Sequence, residues 1–187
     1  MQFDEFADHL SRQRAIRAYD LTRDVDDATV ESLIRVATMA PSGGNRQPWR
    51  FVVIRDPAVK TPLAQIYNEV AAAYTGGRAA GNTTTWDQVP VLIAVCTDSA
   101  AGGGIMQASI YPAVQNLLLA VHTAGLGSVL TTLWKSREAE VRQLLGLPDT
   151  IEIHAILPIG YPDRKYGRGK RRPVVEVTYR DRYGQPW

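Results

Sequence analysis

The sequence predicts a layered domain of the α/β or α+β class, with helices and strands interleaved around apolar strands. Three observations carry that expectation. Apolar residues recur at helical spacing in several segments, Val89 to Thr97 is a continuous apolar run of the kind covered on both faces, and Gly, Pro and Asp mark the boundaries between elements. No repeat, low-complexity stretch or linker divides the chain, so residues 1–187 are read as one domain.

In chain order, Phe3, Phe6, Ala7 and Leu10 set an opening helix over Phe3 to Arg12. Asp26 and Asp27 offer N-caps for a second helix reaching about Met39, with Val30, Leu33, Ile34 and Ala37 on one face and Pro41 as its stop. Trp49 to Arg55 reads as a strand. Asp56-Pro57 then caps and opens a helix carrying Leu63, Ile66 and Val70. Thr75 to Gln88, rich in Gly, Thr and Asn, is the most loop-like stretch and the best lid candidate. Val89 to Thr97 belongs at the centre of the sheet. Beyond Gly102-Gly103-Gly104, a helix around Ile110 to Ala124 aligns Val114, Leu117, Leu118 and Val121, with Pro112 tolerable near its first turn. Gly125 and Gly127 end it, Ser128 to Thr132 makes a short strand, Ser136 caps a helix to about Leu145, and Ile151 to Ile159 is a further strand. The tail from Gly160 is basic and aromatic, with too few apolar positions for its own core. It must lie on its own domain or on a partner subunit.

Composition excludes several classes. The chain is 45% hydrophobic with 21 basic against 19 acidic residues, which rules out disorder as the main state. Its apolar runs are too short to cross a bilayer, and Met1 to Phe6 carries acids where a secretory signal needs a basic start, so a cytoplasmic protein is expected. Cys96 is the lone cysteine; it ends an apolar run and reads as a buried thiol. His9, His122 and His154 stand singly in apolar-periodic or strand contexts, so no zinc site is expected. Basic residues crowd the start (Arg12, Arg14, Arg17, Arg23) and the end (Arg164, Lys165, Arg168, Lys170, Arg171, Arg172), while no Lys or Arg lies between Ala79 and Trp134. The small net charge and the lack of an aromatic-interleaved basic motif argue against nucleic acid and for a small phosphate ligand. There is no G-x-G-x-x-G after a strand, no P-loop, no G-x-S-x-G elbow and no triad, which leaves an organic cofactor to carry the chemistry of any enzyme here.

The segment Ala40 to Phe51 stands out. A helix end runs into a loop of glycine, hydroxyl and amide groups, where Asn45 and Gln47 can donate to and accept from the edge of a planar heterocycle. Taken with the arginine-rich opening, it points to a nucleotide-like ligand with a flat head and an anionic tail.

The blocks Arg14-Ala-Ile-Arg-Ala-Tyr19, Ala40-Pro-Ser-Gly-Gly-Asn-Arg-Gln-Pro-Trp-Arg-Phe51, Gln115-Asn-Leu-Leu-Leu-Ala120, Gly125-Leu-Gly-Ser128 and Leu157-Pro-Ile-Gly-Tyr-Pro162 resemble, in order and over nearly the whole chain, the FMN-dependent nitroreductases. The resemblance implies an α+β, three-layer fold with a central, mostly antiparallel sheet flanked by helices and a domain-swapped C-terminal tail from about residue 160. It implies a homodimer with FMN between subunits. Arg14, Arg17 and the backbone at Ala15 would hold the phosphate from one side, and Lys170 and Arg172 from the other. Pro41, Ser42, Gly43 and Asn45, supported by Gln47, would meet flavin from the neighbouring subunit. Asn82 would read the pyrimidine edge, and Leu130, Thr131 and Thr132 would face N5 and O4. NADH or NADPH would deliver hydride to flavin N5, after which a small acceptor such as a nitroaromatic or quinone would be reduced by ping-pong chemistry, with no catalytic side chain. Reductive dehalogenation, flavin fragmentation and a non-enzymatic flavin-binding module are the alternatives. Gln13 and Ala15 stand where the family commonly has Arg and Ser, and Thr85 where a basic residue is frequent.

Overall fold

The computed structural model describes residues 2–76, 83–101 and 106–187, which fall into two units, Arg14–Lys165 and Met1–Gln13 with Tyr166–Trp187. Among the described residues, the helices are α1 (Phe3–Arg12), α2 (Asp27–Ala37), α3 (Pro57–Thr75), α4 (Met106–Thr123) and α5 (Glu138–Leu144). The strands are β1 (Trp49–Ile54), β2 (Val91–Asp98), β3 (Gly127–Ser128) and β4 (Ile151–Gly160), in the spatial order β1-β2-β4-β3. Every pairing between them is antiparallel. The fold is therefore α+β, and the α/β alternative with its parallel sheet is set aside.

β2 is interior, as its apolar run requires. Its register runs from Trp49↔Thr97 to Ile54↔Leu92 on one side and from Val91↔Ile159 to Asp98↔Ile151 on the other. Strand alternation sends Val91, Ile93 and Val95, with Ala155, Leu157 and Ile159, into one cluster with Val30, Leu33 and Ala37 of α2 and Ile110, Val114 and Leu117 of α4. On the opposite face Leu92, Ala94 and Cys96 are fully buried. Val52 and Ile54 of β1 line a cavity of about 340 Å³ there with Val59 of α3 and Leu144 of α5, so α3 and α5 cover that side.

Local chemistry accounts for the helix boundaries. The Asp26 carboxylate accepts the Thr29 amide at 2.6 Å, and Asp56 accepts that of Ala58 at 2.8 Å with Pro57 opening α3. Gly76 (φ +61°) caps α3 in the left-handed region, and Gly125 (φ +74°) follows α4.

Four expectations are corrected. α4 begins at Met106, ahead of Ile110, so Pro112 lies inside it and withholds the amide that Ala108's carbonyl would otherwise accept. Ser136 does not cap α5; its hydroxyl donates to Leu133 O at 3.3 Å within a 3₁₀ turn over Leu133–Arg137, and α5 starts at Glu138 without a side-chain cap. The strand expected over Ser128 to Thr132 shrinks to β3 and an isolated Thr131↔Ile156 bridge. The loop-like stretch from Thr75 is pinned in its second half. There Trp86 is buried and stacks on Tyr67 with centroids 3.9 Å apart, Thr84 N donates to Arg17 O at 2.8 Å, and just beyond the stretch Lys60 Nζ donates to Val89 O at 2.5 Å. Residues 77–82 of that lid candidate lie outside the described residues.

Cys96 and His154 are core groups. Cys96 is fully buried, and burial pushes its thiol up to about 12. His154 is the extra residue where the β2–β4 register shifts, between Val95↔Ala155 and Cys96↔Ile153. Its Nε2 meets Thr97 Oγ1 at 2.7 Å, while Nδ1 lacks a hydrogen bond and sits 3.8 Å from Glu152. Burial lowers its pKa below 6.5, against the opposing pull of Glu152. The unfolded chain therefore binds the proton more tightly, and stability should be full above pH 6.5 and fall as pH drops below it. Urea unfolding of a His154→Gln variant should show a flatter stability profile below that pH than the wild type; an unchanged slope would contradict this assignment.

In the smaller unit, Asp8 of α1 pairs with Arg12 at 2.8 Å and with Arg168, and Gly169 N donates to Ser11 O at 3.4 Å. The Tyr179 and Tyr183 rings lie 4.5 Å apart, and Arg180 sits over Trp187 at 5.6 Å. α1 has no buried residue, and Phe3, Val174, Val175, Val177, Tyr183 and Trp187 are exposed.

Candidate functional site

Arg14 to Tyr19 is an extended segment laid against β3. Ile16 N donates to Ser128 O at 2.9 Å beside a parallel Ala15↔Ser128 bridge. Ile16 and Ala18 face inward while Arg14, Ala15 and Arg17 are exposed, so the guanidinium groups project from a held backbone. Gly127 makes the approach possible, because a Cβ there would come within 2.7 Å of the Ile16 side chain. The far end is tied by the Tyr19 hydroxyl, 2.8 Å from Ile16 O and 3.2 Å from Pro158 O. Thr84 clasps the segment through its own amide, which donates to Arg17 O at 2.8 Å, and its hydroxyl, which accepts Tyr19 N at 3.0 Å.

Pro41 to Gln47 leads into β1, and Pro41, Gly43, Asn45 and Gln47 are all exposed. Gly44 (φ +60°), Asn45 (φ +53°) and Gln47 (φ +50°) hold left-handed backbone, which costs on the order of 1–3 kcal/mol at each non-glycine position. Internal bonds maintain the shape: Asn45 N donates to Ser42 O at 2.9 Å, Gln47 N to Ser42 Oγ at 3.0 Å, and Gln47 Nε2 to Asn45 Oδ1 at 3.3 Å. A Cβ on Gly43 would meet nothing within 4 Å, so the loop's outer side is open to a ligand.

Leu130 to Thr132 follows β3. Thr131 is buried and its hydroxyl donates to Ile156 O at 2.6 Å, while its own carbonyl accepts Ile156 N at 3.2 Å and Trp134 Nε1 at 3.0 Å. In this geometry the Thr131 hydroxyl is committed inside the chain, and Thr132, which is exposed, presents the hydroxyl available to a ligand.

The structure brings the Arg14 to Arg17 segment and Leu130 to Thr132 to one edge of the sheet. It does not bring the Pro41 to Gln47 loop to them. The loop joins β1 at Trp49, opposite Thr97 and through it Glu152, whereas Ser128 pairs with Ile159. That places Trp49 and Ser128 at diagonal corners, roughly 23 Å apart along the strands and roughly 14 Å across them, with Thr131, opposite Ile156, between the two along the strands. Lys170 and Arg172 are exposed on the smaller unit, and Asn82 lies outside the described residues.

Residues 10–161 match the model of the nitroreductase family. The chain belongs to that family. A protein of Archaeoglobus fulgidus that carries the provisional name NADH dehydrogenase/NAD(P)H nitroreductase is 31% identical over 162 residues, covering 80% of this chain and 81% of the relative. The iodotyrosine deiodinase of Thermotoga neapolitana is 29% identical over 180 residues, covering 90% and 94%. Among solved structures, an oxidised iodotyrosine deiodinase bound to FMN and 3-iodo-L-tyrosine superposes with a TM-score of 0.77 at 27% identity, covering 96% of this chain and 98% of that one.

This nitroreductase-family chain has two site-supporting residues that the sequence reading missed, Thr84 and Ser109. Ser109 Oγ accepts the Gly43 amide at 3.2 Å from the buried face of α4. A polar residue in step with Ala113, Val114 and Leu117 was the signal available for it. Among the described residues no group of three or more His, Cys, Asp or Glu could hold a metal ion, and no helix is long and apolar enough to cross a membrane.

Proposed function

We propose that this chain is an FMN-dependent oxidoreductase that uses NADH or NADPH to reduce small acceptors such as nitroaromatics or quinones, working as a homodimer with FMN between the subunits. The observation that carries the reading is the diagonal separation of the two site segments. A phosphate grip at one corner and an amide-rich loop at the other serve one ligand when a second copy brings its loop to the first copy's arginines. The FMN in the related deiodinase structure and the nicotinamide in the archaeal relative's name support the cofactor and the reductant.

The residues suit that group. Exposed Arg14 and Arg17 offer planar, charge-assisted donors to a phosphate dianion, and Asn45 and Gln47 offer amides to a heterocycle edge. When bound, FMN supplies the hydride-accepting and electron-transferring chemistry. The chain's share is positioning: the Thr132 hydroxyl and the backbone of Leu130 would hold the polar edge of the ring, Thr131 would anchor them through its bonds to Ile156 and Trp134, and the strained loop would orient the ring without reorganising. Cys96 and His154, both buried in the core, take no part in proton transfer.

The same reading assigns the tail from about residue 160 to the partner, where its exposed Val174, Val175 and Trp187 find cover and Lys170 and Arg172 close on the phosphate. Asn82 would reach the pyrimidine edge, and the whole chain would act as one domain in the cytoplasm. Deiodination is the second reading, favoured by the deiodinase relatives. Steady-state turnover of NADH and NADPH against a nitroaromatic, a quinone and 3-iodotyrosine tests both readings. Parallel double-reciprocal lines with the first two acceptors support the proposal, and turnover confined to 3-iodotyrosine supports the second. Light scattering should give a dimer; a flavin-retaining monomer would contradict the shared site.

A further inference from the structure

We propose that Ser109 is the positioning residue that fixes the Ser42 to Gln47 loop in its ligand-ready shape, an inference that rests on the flavin reading above. The loop carries three left-handed residues within four positions, at Gly44, Asn45 and Gln47. Strained backbone of this kind persists only where its surroundings over-determine it. Asn45 N, Arg46 N and Gln47 N all donate within the loop, to Ser42 O, Gly43 O and Ser42 Oγ. Those bonds define the loop's shape and leave its attachment to the body undefined.

Attachment is supplied at the two ends. At the rear, Pro48 O accepts Asp98 N at 2.8 Å, which continues the sheet. At the front, Gly43 N donates to Ser109 Oγ at 3.2 Å. Ser109 is well placed for this: it is buried, sits in the first turns of α4, and shares the helix face whose Ala113, Val114 and Leu117 pack into the core. Its backbone is thus anchored by apolar packing while its hydroxyl reaches the loop. Gly43 itself has open space where a Cβ would stand, so the hydrogen bond is not doubled by packing on that side of the residue.

Without the Ser109 acceptor the loop samples more conformers, and apparent affinity falls with the fraction that remains competent. Ser109→Ala should therefore weaken FMN binding about tenfold, Ser109→Thr should restore it, and both should unfold close to the wild-type temperature. The experiment is FMN titration by flavin fluorescence on wild type and both variants, with amide hydrogen exchange at Gly43 followed by NMR in the flavin-free protein. Faster Gly43 exchange and weaker FMN binding in Ser109→Ala, both reversed in Ser109→Thr, support the proposal. Unchanged Gly43 exchange, or unchanged FMN affinity in Ser109→Ala, overturns it. A wild type that fails to bind FMN overturns the flavin reading instead, while the exchange comparison still decides whether Ser109 holds the loop.

Discussion

Replacing both Arg14 and Arg17 with alanine should abolish FMN retention through gel filtration. A hydrogen bond to a charged group contributes about 1.5–3 kcal/mol, so each arginine is expected to carry roughly a 10- to 100-fold share of affinity. Both side chains are exposed on a segment whose fold rests on backbone bonds to Ser128 and Thr84 and on buried Ile16, Ala18 and Tyr19. The flavin-free variant should therefore match wild-type stability to within about 0.5 kcal/mol. Fluorescence titration with FMN reads the loss directly. A double variant that still elutes yellow with full flavin absorbance would remove the phosphate assignment.

Trp134→Ala is the substitution expected to cost most in stability. Trp134 is fully buried, and its indole N–H donates to Thr131 O at 3.0 Å. Truncating a buried tryptophan costs about 3–5 kcal/mol, a large part of a domain's typical 5–15 kcal/mol. At about 2–4 °C per kcal/mol for a chain of this size, the melting temperature should fall by on the order of 10 °C. Trp134→Phe keeps most of the packing and removes the donor, so it should lose less stability while loosening the Thr131–Thr132 backbone. Thermal unfolding by circular dichroism, run beside FMN titration, separates the two effects. A Trp134→Ala melting curve that overlays the wild type would contradict this placement in the core.

Elements defined by their own residues were legible in the sequence. Phe3–Arg12 and Asp27–Ala37 follow from helical spacing and an Asp cap, and the interior position of Val91–Asp98 follows from its unbroken apolar run. The stretch free of Lys and Arg corresponds to β2, α4 and β3, which form much of the buried core. Boundaries decided by tertiary contacts were harder. α4 extends through Pro112 because its apolar face is held against α2 and the sheet, overriding a local breaker. At Leu133–Arg137 the buried Trp134 sets a 3₁₀ turn where Ser136 offered a plausible cap. In the site, the residue types of the Ala40–Phe51 segment predicted a helix end, an exposed loop and a strand, and the structure has that order. Its left-handed Asn45 and Gln47 rest on bonds inside the loop, to Ser42 and Asn45, whereas the Ser109 contact and the inward turn of the Thr131 hydroxyl depend on partners distant in sequence.

Anaerobic titration of the FMN-loaded, desalted protein with NADH and with NADPH tests the central claim most directly. The account predicts a stable flavin absorption band that bleaches stoichiometrically with at least one nicotinamide and returns when a quinone or nitroaromatic is admitted. Protein that emerges colourless from desalting, or a bound flavin band that neither nicotinamide bleaches, would contradict it.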